Sequence, residues 1–515
     1  VLLCTEGAEQ GETLLVEAPA FLTDGEHVGA QYEDFRVLPG PRQDEILGSF
    51  FCPVESKSRR IADFRALAAQ APLKEQERDR FLKFAVIMHV NSVQCAPVLE
   101  DGSGADPRFR GRAGLFTTAC KASHSCVPNA IWHTRGQDGT RVLRSVAQIS
   151  KGEEVSITYL LEEDLLRPRR VRRAMLSETY EFTCQCARCS SEYDDRRAFP
   201  CLKSGCKGCH MVRDDNGASP CSVCDGALAA KILAKFIQEE RQQRNTLDYI
   251  DGVLDSGQHI DVSAKMLSLK PIHQAHCHAR DIARLQYELH MQLGSLPEVV
   301  RDWEVIASSW SHTALPCLRA MAMDLEKLGD MLVRNNEIQR AAETYTRALA
   351  AHTVPQEPLN PYVLCCLRKL AATRLQLPSS SPSTLEKEST VVLCGLAAAG
   401  LIGAVGRAGA FKGGRYAVHL PGRSVKAKPE NLQVALPVVE TPEPGLLVMM
   451  HSLTSAAGQT LNGLFGTVSG VSGDRIAVQL ERHGAKMIRQ ANLVALPALA
   501  DSLREGGVGR PDDAS

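Results

Sequence analysis

Three cysteines within six residues, Cys184, Cys186 and Cys189, constrain this chain more than any other feature. Thiolates at that spacing can share one tetrahedral ion, which then needs a fourth ligand from elsewhere. Nine of the 18 cysteines fall between Cys126 and Cys224. Disulfide frameworks belong to small secreted chains. This chain has 515 residues, and its N-terminus is apolar for only three or four positions before turning acidic, which is no secretory signal. The crowding therefore points to zinc in a reducing compartment, cytoplasmic or nuclear. Cys126 is the candidate fourth ligand. Downstream, Cys201-x4-Cys206-x2-Cys209 and Cys221-x2-Cys224 form knuckles about a dozen residues apart, as in a structural zinc ribbon. Five cysteines compete there for four places, and spacing alone favours Cys206, Cys209, Cys221 and Cys224.

Composition bounds the rest. At 44% hydrophobic and 23% charged the chain is ordinary globular material, long enough for several domains. A net charge of −1 argues against nucleic acid as the main partner. Ser389–Gly406 is uncharged over 18 residues but rich in glycine and at the lower edge of spanning length. An internal repeat claims its second half for a strand, so a soluble chain without a membrane partner is expected.

Short apolar runs between residues 91 and 160, broken by Gly, Asp and Pro, predict a β-rich irregular region. Residues 11–22 read as a turn and an extended segment, and 23–80 as loop-rich. Residues 73–90 carry helical periodicity, giving a helical insert over about 60–90. Pro168 suits a helix start. Arg167, Arg169, Arg170, Arg172 and Arg173 read as a solvated helix face. From 231 to 375 the pattern is helical; Leu328, Gly329, Ala341, Tyr345 and Ala348 stand at the offsets of a tetratricopeptide (TPR) hairpin. Residues 376–390 read as a linker. Beyond it, Gly400–Val405, Arg415–Leu420 and Glu430–Leu432 recur as Gly463–Val468, Arg475–Leu480 and Ala491–Leu493, predicting two small Tudor- or KOW-type barrels over 391–437 and 445–497. A frayed tail is expected over 498–515.

Ser123-His-Ser-Cys-Val-Pro-Asn129 resembles the main motif of SET-domain methyltransferases. Gly152-Glu-Glu-Val-Ser-Ile-Thr-Tyr159 resembles their second motif, and Cys184–Cys189 their post-SET cluster. The order matches, and residues 172–189 with Asn91-Ser92 are similar to the SMYD branch. The resemblance covers about residues 11–230 and extends to the helices of 231–375. It implies a multidomain α+β protein: a SET domain over 1–182, a post-SET and zinc-ribbon region over 183–230, a TPR-like array and the two barrels. It implies transfer of a methyl group from S-adenosylmethionine to a lysine of a protein substrate such as a histone tail, with the two motif segments threading past one another. Tyr159 matches the catalytic tyrosine. Asn91, Ser123, His124, Tyr180 and Phe182 match residues of the cofactor pocket and lysine channel. Cys126, Cys184, Cys186 and Cys189 match the post-SET zinc ligands, and the resemblance favours Cys201, Cys206, Cys221 and Cys224 for the second ion. The helical array and barrels are expected to meet protein partners.

Three features depart from that pattern. The family's glycine-x-glycine loop, due before Gly11, is missing, which reads as an N-terminally truncated SET domain. Ser123 replaces an asparagine, and a lost cofactor hydrogen bond costs about 0.5–1.5 kcal/mol net. Residues 23–90 hold only Cys52, so no MYND finger is expected. The alternative to an enzyme is a catalytically silent scaffold for protein interaction.

Overall fold

The structure, a computed structural model, describes residues 1–99, 102, 104–213, 217–256, 261–379, 385–439, 441–480 and 483–496. The chain is a mixture of helices and several small sheets. It divides into two compact units, Val1–Pro97 with Ala105–Asp324, and Val98–Gly104 with Leu325–Ser515.

In the first unit, glycine and proline keep the strands short. Thr13–Glu17 pairs antiparallel with Thr140–Ser145, which pairs with Ala130–Arg135. Phe21–Thr23, Ala113–Leu115 and Val93–Gln94 form a second sheet. Ser123–His124 runs parallel to Ser156–Ile157. Phe116, Trp132, Leu143 and Val155 bury their side chains between these pieces. The insert is more helical than its periodicity suggested: Val28–Arg36 and Gly40–Ser49 precede Arg59–Gln70 and Glu75–Asn91. The first two bury few residues of their own (Tyr32 and Phe35 in one, Ile46 in the other), so their apolar stripe is faint. They fold against the last helix, where Phe35 and Phe84 meet at 4.6 Å between ring centroids.

The helix Arg169–Tyr180 begins after Pro168, whose missing N–H costs nothing at a helix start. It ends at Glu181, held at φ 61° in the left-handed region. That turn brings Phe182 back toward the residues Tyr180 faces. Beyond it lie the sheet Gly217–Ala218, Cys209–Arg213 and Asp194–Pro200 and the helices Ala230–Asp255, Ser263–Ser268, Cys277–Gln292 and Leu296–Ser308.

The boundary between the units falls inside the helix Arg319–Arg334. In the second unit Ile338–Thr353 packs on Pro361–Leu375. A Cβ on Gly329 would stand 2.6 Å from the Tyr345 ring, which explains the glycine and the aromatic at that spacing. Two antiparallel sheets follow with one shared strand order. The first runs Arg423–Ala427, Arg415–Leu420, Val405–Lys412, Thr390–Leu393, Leu432–Val434. The second runs Gly484–Arg489, Arg475–Leu480, Phe465–Ser472, Leu447–Met450, Leu493–Ala495, with Leu436–Pro437 added at its edge.

The repeat is thus a structural repeat, but its glycine segment is offset by three from the sequence match. Val405–Lys412 corresponds to Phe465–Ser472, so Gly403 and Gly406 answer Gly463 and Gly466. Gly400, Gly403 and Gly406 are equally spaced, which allowed the slip. The uncharged stretch Ser389–Gly406 supplies one whole strand and the start of another; among the described residues no helix is long and apolar enough to cross a membrane. Around the expected linker 376–390, Ser379 donates its N–H to Glu430 O and Leu385 packs on the first sheet. The expected tail 498–515 lies outside the described residues.

Candidate active site and metal centres

Two segments far apart in sequence meet at the first cysteine group. The Sγ atoms of Cys126, Cys184, Cys186 and Cys189 all lie within 4.8 Å of one another, and Cys126 and Cys189 are 3.6 Å apart. Ligands about 2.3 Å from a tetrahedral zinc stand roughly 3.8 Å from each other, whereas disulfide sulfurs sit about 2.05 Å apart. All four are free thiols in a shape that fits one ion with no open position. Cys201, Cys206, Cys221 and Cys224 form a second such group, with sulfurs 3.7 Å (Cys201–Cys224) and 3.6 Å (Cys206–Cys221) apart. Cys209 is outside it. Its strand directs the thiol to the Ser222 hydroxyl at 3.9 Å.

The segment holding Cys126 is locked to the segment before Tyr159. Asn129 Oδ1 accepts the Ser156 N–H at 2.8 Å, and its Nδ2 donates to Glu154 O at 2.9 Å. Ser123 stands opposite Ser156 in the parallel pair. His124 completes the lock, because its Nδ1 accepts the Tyr159 N–H at 3.0 Å. Burial pushes the His124 pKa down to about 4, so the ring is neutral near pH 7. With Nδ1 an acceptor, the remaining proton sits on Nε2, 3.3 Å from Cys126 Sγ. A neutral ring therefore donates to a sulfur of the four-cysteine group.

Four rings collect beside this lock. His124 lies 5.4 Å from Tyr159 and 6.0 Å from Phe182, and Tyr159 lies 5.0 Å from Tyr180, between centroids. The Tyr159 hydroxyl donates to Ala122 O at 2.7 Å, and the Tyr180 hydroxyl to Tyr159 O at 3.3 Å. Burial, with the charges of Tyr180, Cys120 and Glu154, lifts the Tyr159 phenol to about 12; it stays protonated at any working pH. Asn91 keeps other company, its amide donating to Phe51 O at 2.8 Å and Ile87 O at 3.0 Å.

The expected solvated arginine face is overturned. Arg169 and Arg172 are buried, and the run is aimed at the cysteine loop. Arg169 donates to Ser191 O and Cys189 O; Arg173 donates to Cys184 O at 3.0 Å and Cys189 O at 3.1 Å. Arg188 adds Leu165 O at 2.7 Å while paired with Asp195. Arg167 pairs with Asp281 at 2.8 Å, and Arg170 is exposed. A cue was present: Arg169, Arg172, Arg173 and Leu176 recur at the interval of a core-facing stripe. The Ala122 carbonyl and Asn129 were likewise not singled out, and a backbone acceptor leaves no residue-type signal.

Two other buried groups hold metal-capable atoms, His276 with Cys277 and His278, and Glu326 with His352 and Cys366. Both are already knit by ion pairs, Arg197–Glu240–His276 in one and Lys369–Glu326–His352 in the other. They staple helices together.

Over about 83 residues the chain is similar to curated protein-lysine methyltransferases. It is 37% identical over 83 residues to the protein-lysine N-trimethyltransferase SMYD5 of Danio rerio, and 40% over 85 residues to that of Mus musculus. It is 34% identical over 84 residues to the N-lysine methyltransferase SMYD2 of Homo sapiens. Each stretch is 16% of this chain, and the chain spans about a fifth of the length of the curated relatives it matches. No family model matches the chain.

Proposed function

We propose that the chain is a protein-lysine methyltransferase of the SET class, using S-adenosylmethionine and held by structural zinc. The observation that carries this reading is the meeting of His124, Tyr159, Tyr180 and Phe182 against the four-thiolate group. The similarity to SMYD proteins supports the lysine specificity.

The cofactor, when bound, supplies a methyl group on a sulfonium. The residues have positioning work to do, because methyl transfer to an amine needs a lone pair in line and little acid-base help. Tyr159, its hydroxyl fixed by Ala122 O, presents an uncharged phenol to an amine. Tyr180 and Phe182 give that amine an apolar wall, where desolvation lowers a lysine pKa from its usual value of about 10.4. His124 ties Tyr159 to Cys126, so the metal group braces the ring wall. Ser123 and Asn91 are assigned to cofactor contact on the family pattern alone. The helices and paired sheets of the second unit are assigned to choosing the protein substrate.

The test is transfer of a labelled methyl group to histones and to a cell extract. We expect labelling by the wild-type chain and a loss of about 100-fold in Tyr159→Phe with the cofactor's thermal shift retained. No labelling, together with no thermal shift by S-adenosylmethionine, leaves the silent scaffold as the reading.

A further inference from the structure

Arg172 is 0% exposed, and its surroundings are unusual for a guanidinium. Nη1 donates to Arg167 O, Nη2 lies 3.7 Å from Cys189 Sγ, and Nε has no partner. Among the described residues no carboxylate is hydrogen-bonded to it; Asp194 accepts the backbone N–H groups of Arg169 and Arg196 and acts on Arg172 through charge alone. A guanidinium moved out of water needs opposing negative charge and acceptors close by. Four thiolates around a divalent ion carry two more negative charges than the ion cancels. A sulfur of the four-cysteine group, Cys189 Sγ, is the side-chain acceptor within its reach, and metal-bound thiolates there would supply the opposing charge.

We propose that Arg172 is the internal counter-ion of the first metal centre, a positioning residue that holds Cys126 and Cys189 as metal-bound thiolates. This rests on metal binding by the first cysteine group and not on methyl transfer. Arg169 and Arg173 grip carbonyl oxygens of the loop and Arg188, within the loop, donates to Leu165 O, whereas Arg172 faces sulfur. His124 supplies a neutral N–H to Cys126, and Arg172 supplies charge beside Cys189. Groups of this kind around a metal alter its affinity by about 10–100-fold when removed. The second cysteine group, with its own four sulfurs, is an internal control in the same chain.

Zinc-loaded whole chain is challenged with a chromogenic chelator, and release is followed ion by ion. A Cys224→Ser chain identifies the phase that belongs to the second centre. Arg172→Met keeps volume and removes charge, and Arg172→Gln keeps an N–H donor without charge. We expect either variant to release the first ion about 10–100-fold faster while the second leaves at the wild-type rate, with Arg172→Lys recovering part of the difference. In the cobalt-loaded chain, the thiolate-to-metal charge-transfer band of the first centre should move to lower energy in Arg172→Met. Wild-type release from both centres, or equal acceleration at both, overturns the proposal. A wild-type chain that binds no zinc through Cys126 overturns the metal reading beneath it, whereas a failure to methylate leaves this result standing.

Discussion

At His124 the two ring nitrogens face different partners, and each contact constrains the other. The Tyr159 N–H fixes Nδ1 as acceptor, which puts the proton on Nε2 and aims it at Cys126. His124→Phe keeps a ring between Tyr159 and Phe182 but leaves the Tyr159 N–H without that acceptor. It should cost about 1–3 kcal/mol, read by denaturant unfolding of the zinc-loaded chain. Cysteine spacing alone favoured Cys209 over Cys201, because counting positions says nothing of side-chain direction. The strand Cys209–Arg213 turns that thiol to Ser222, away from the four-sulfur group. The arginines show the converse. Their periodicity was legible, but charge suggested water until the carbonyls and sulfurs that receive them had been brought in from the cysteine loop.

Among the elements, glycine contacts explain why certain repeats were visible at all. Gly329 lets the helices Arg319–Arg334 and Ile338–Thr353 approach until the Tyr345 ring fills the space of a side chain. That ring cannot retreat easily, since its hydroxyl donates to Asp330 Oδ1 at 2.7 Å. Gly329→Ala should therefore destabilise the second unit by about 1–3 kcal/mol, checked by its thermal transition. In the second sheet a Cβ on Gly466 would meet Val478 Cγ1 at 2.3 Å and Gln479 O at 2.9 Å. Gly466→Ala should cost a similar amount, about 1–3 kcal/mol in chemical denaturation, while Gly470→Ala, with open space around it, should cost less. The helices Val28–Arg36 and Gly40–Ser49 were not legible, because what stabilises them is an aromatic cluster completed by Phe21, Phe81 and Phe84 from elsewhere in the chain.

For the whole molecule, both four-cysteine groups belong to the first unit. A strong zinc chelator should lower the first unit's transition in calorimetry and leave the second unit's in place; a uniform shift would argue against metal-dependent folding confined to the first. Acid should act on both. Burial pushes Glu240 up, but hydrogen bonds from His276 and Arg197 outweigh it and hold the carboxyl at about 2, against an ordinary value of 4.5. Burial likewise opposes Glu326, and His352 with Lys369 holds it at about 2. A depressed carboxyl contributes stability that is present above about pH 4.5 and lost as pH falls toward 2. Each group accounts for up to about 3 kcal/mol. Glu326→Gln should flatten the acid limb of the second unit, which holds neither four-cysteine group, as followed by circular dichroism against pH.

The sequence alone determined which thiols cluster, their order and the periodicity of the longer elements, since thiol spacing and apolar repeats are local properties. It also determined the doubling of the C-terminal strands, though not their register, because glycines three apart align equally well with one another. Tertiary structure decided which sulfur faces which, that buried arginines surround the first group, and that four rings share one corner with it. Those contacts join residues 11 to 63 positions apart, and geometry of that kind is fixed by packing and charge compensation rather than by any pattern within a segment.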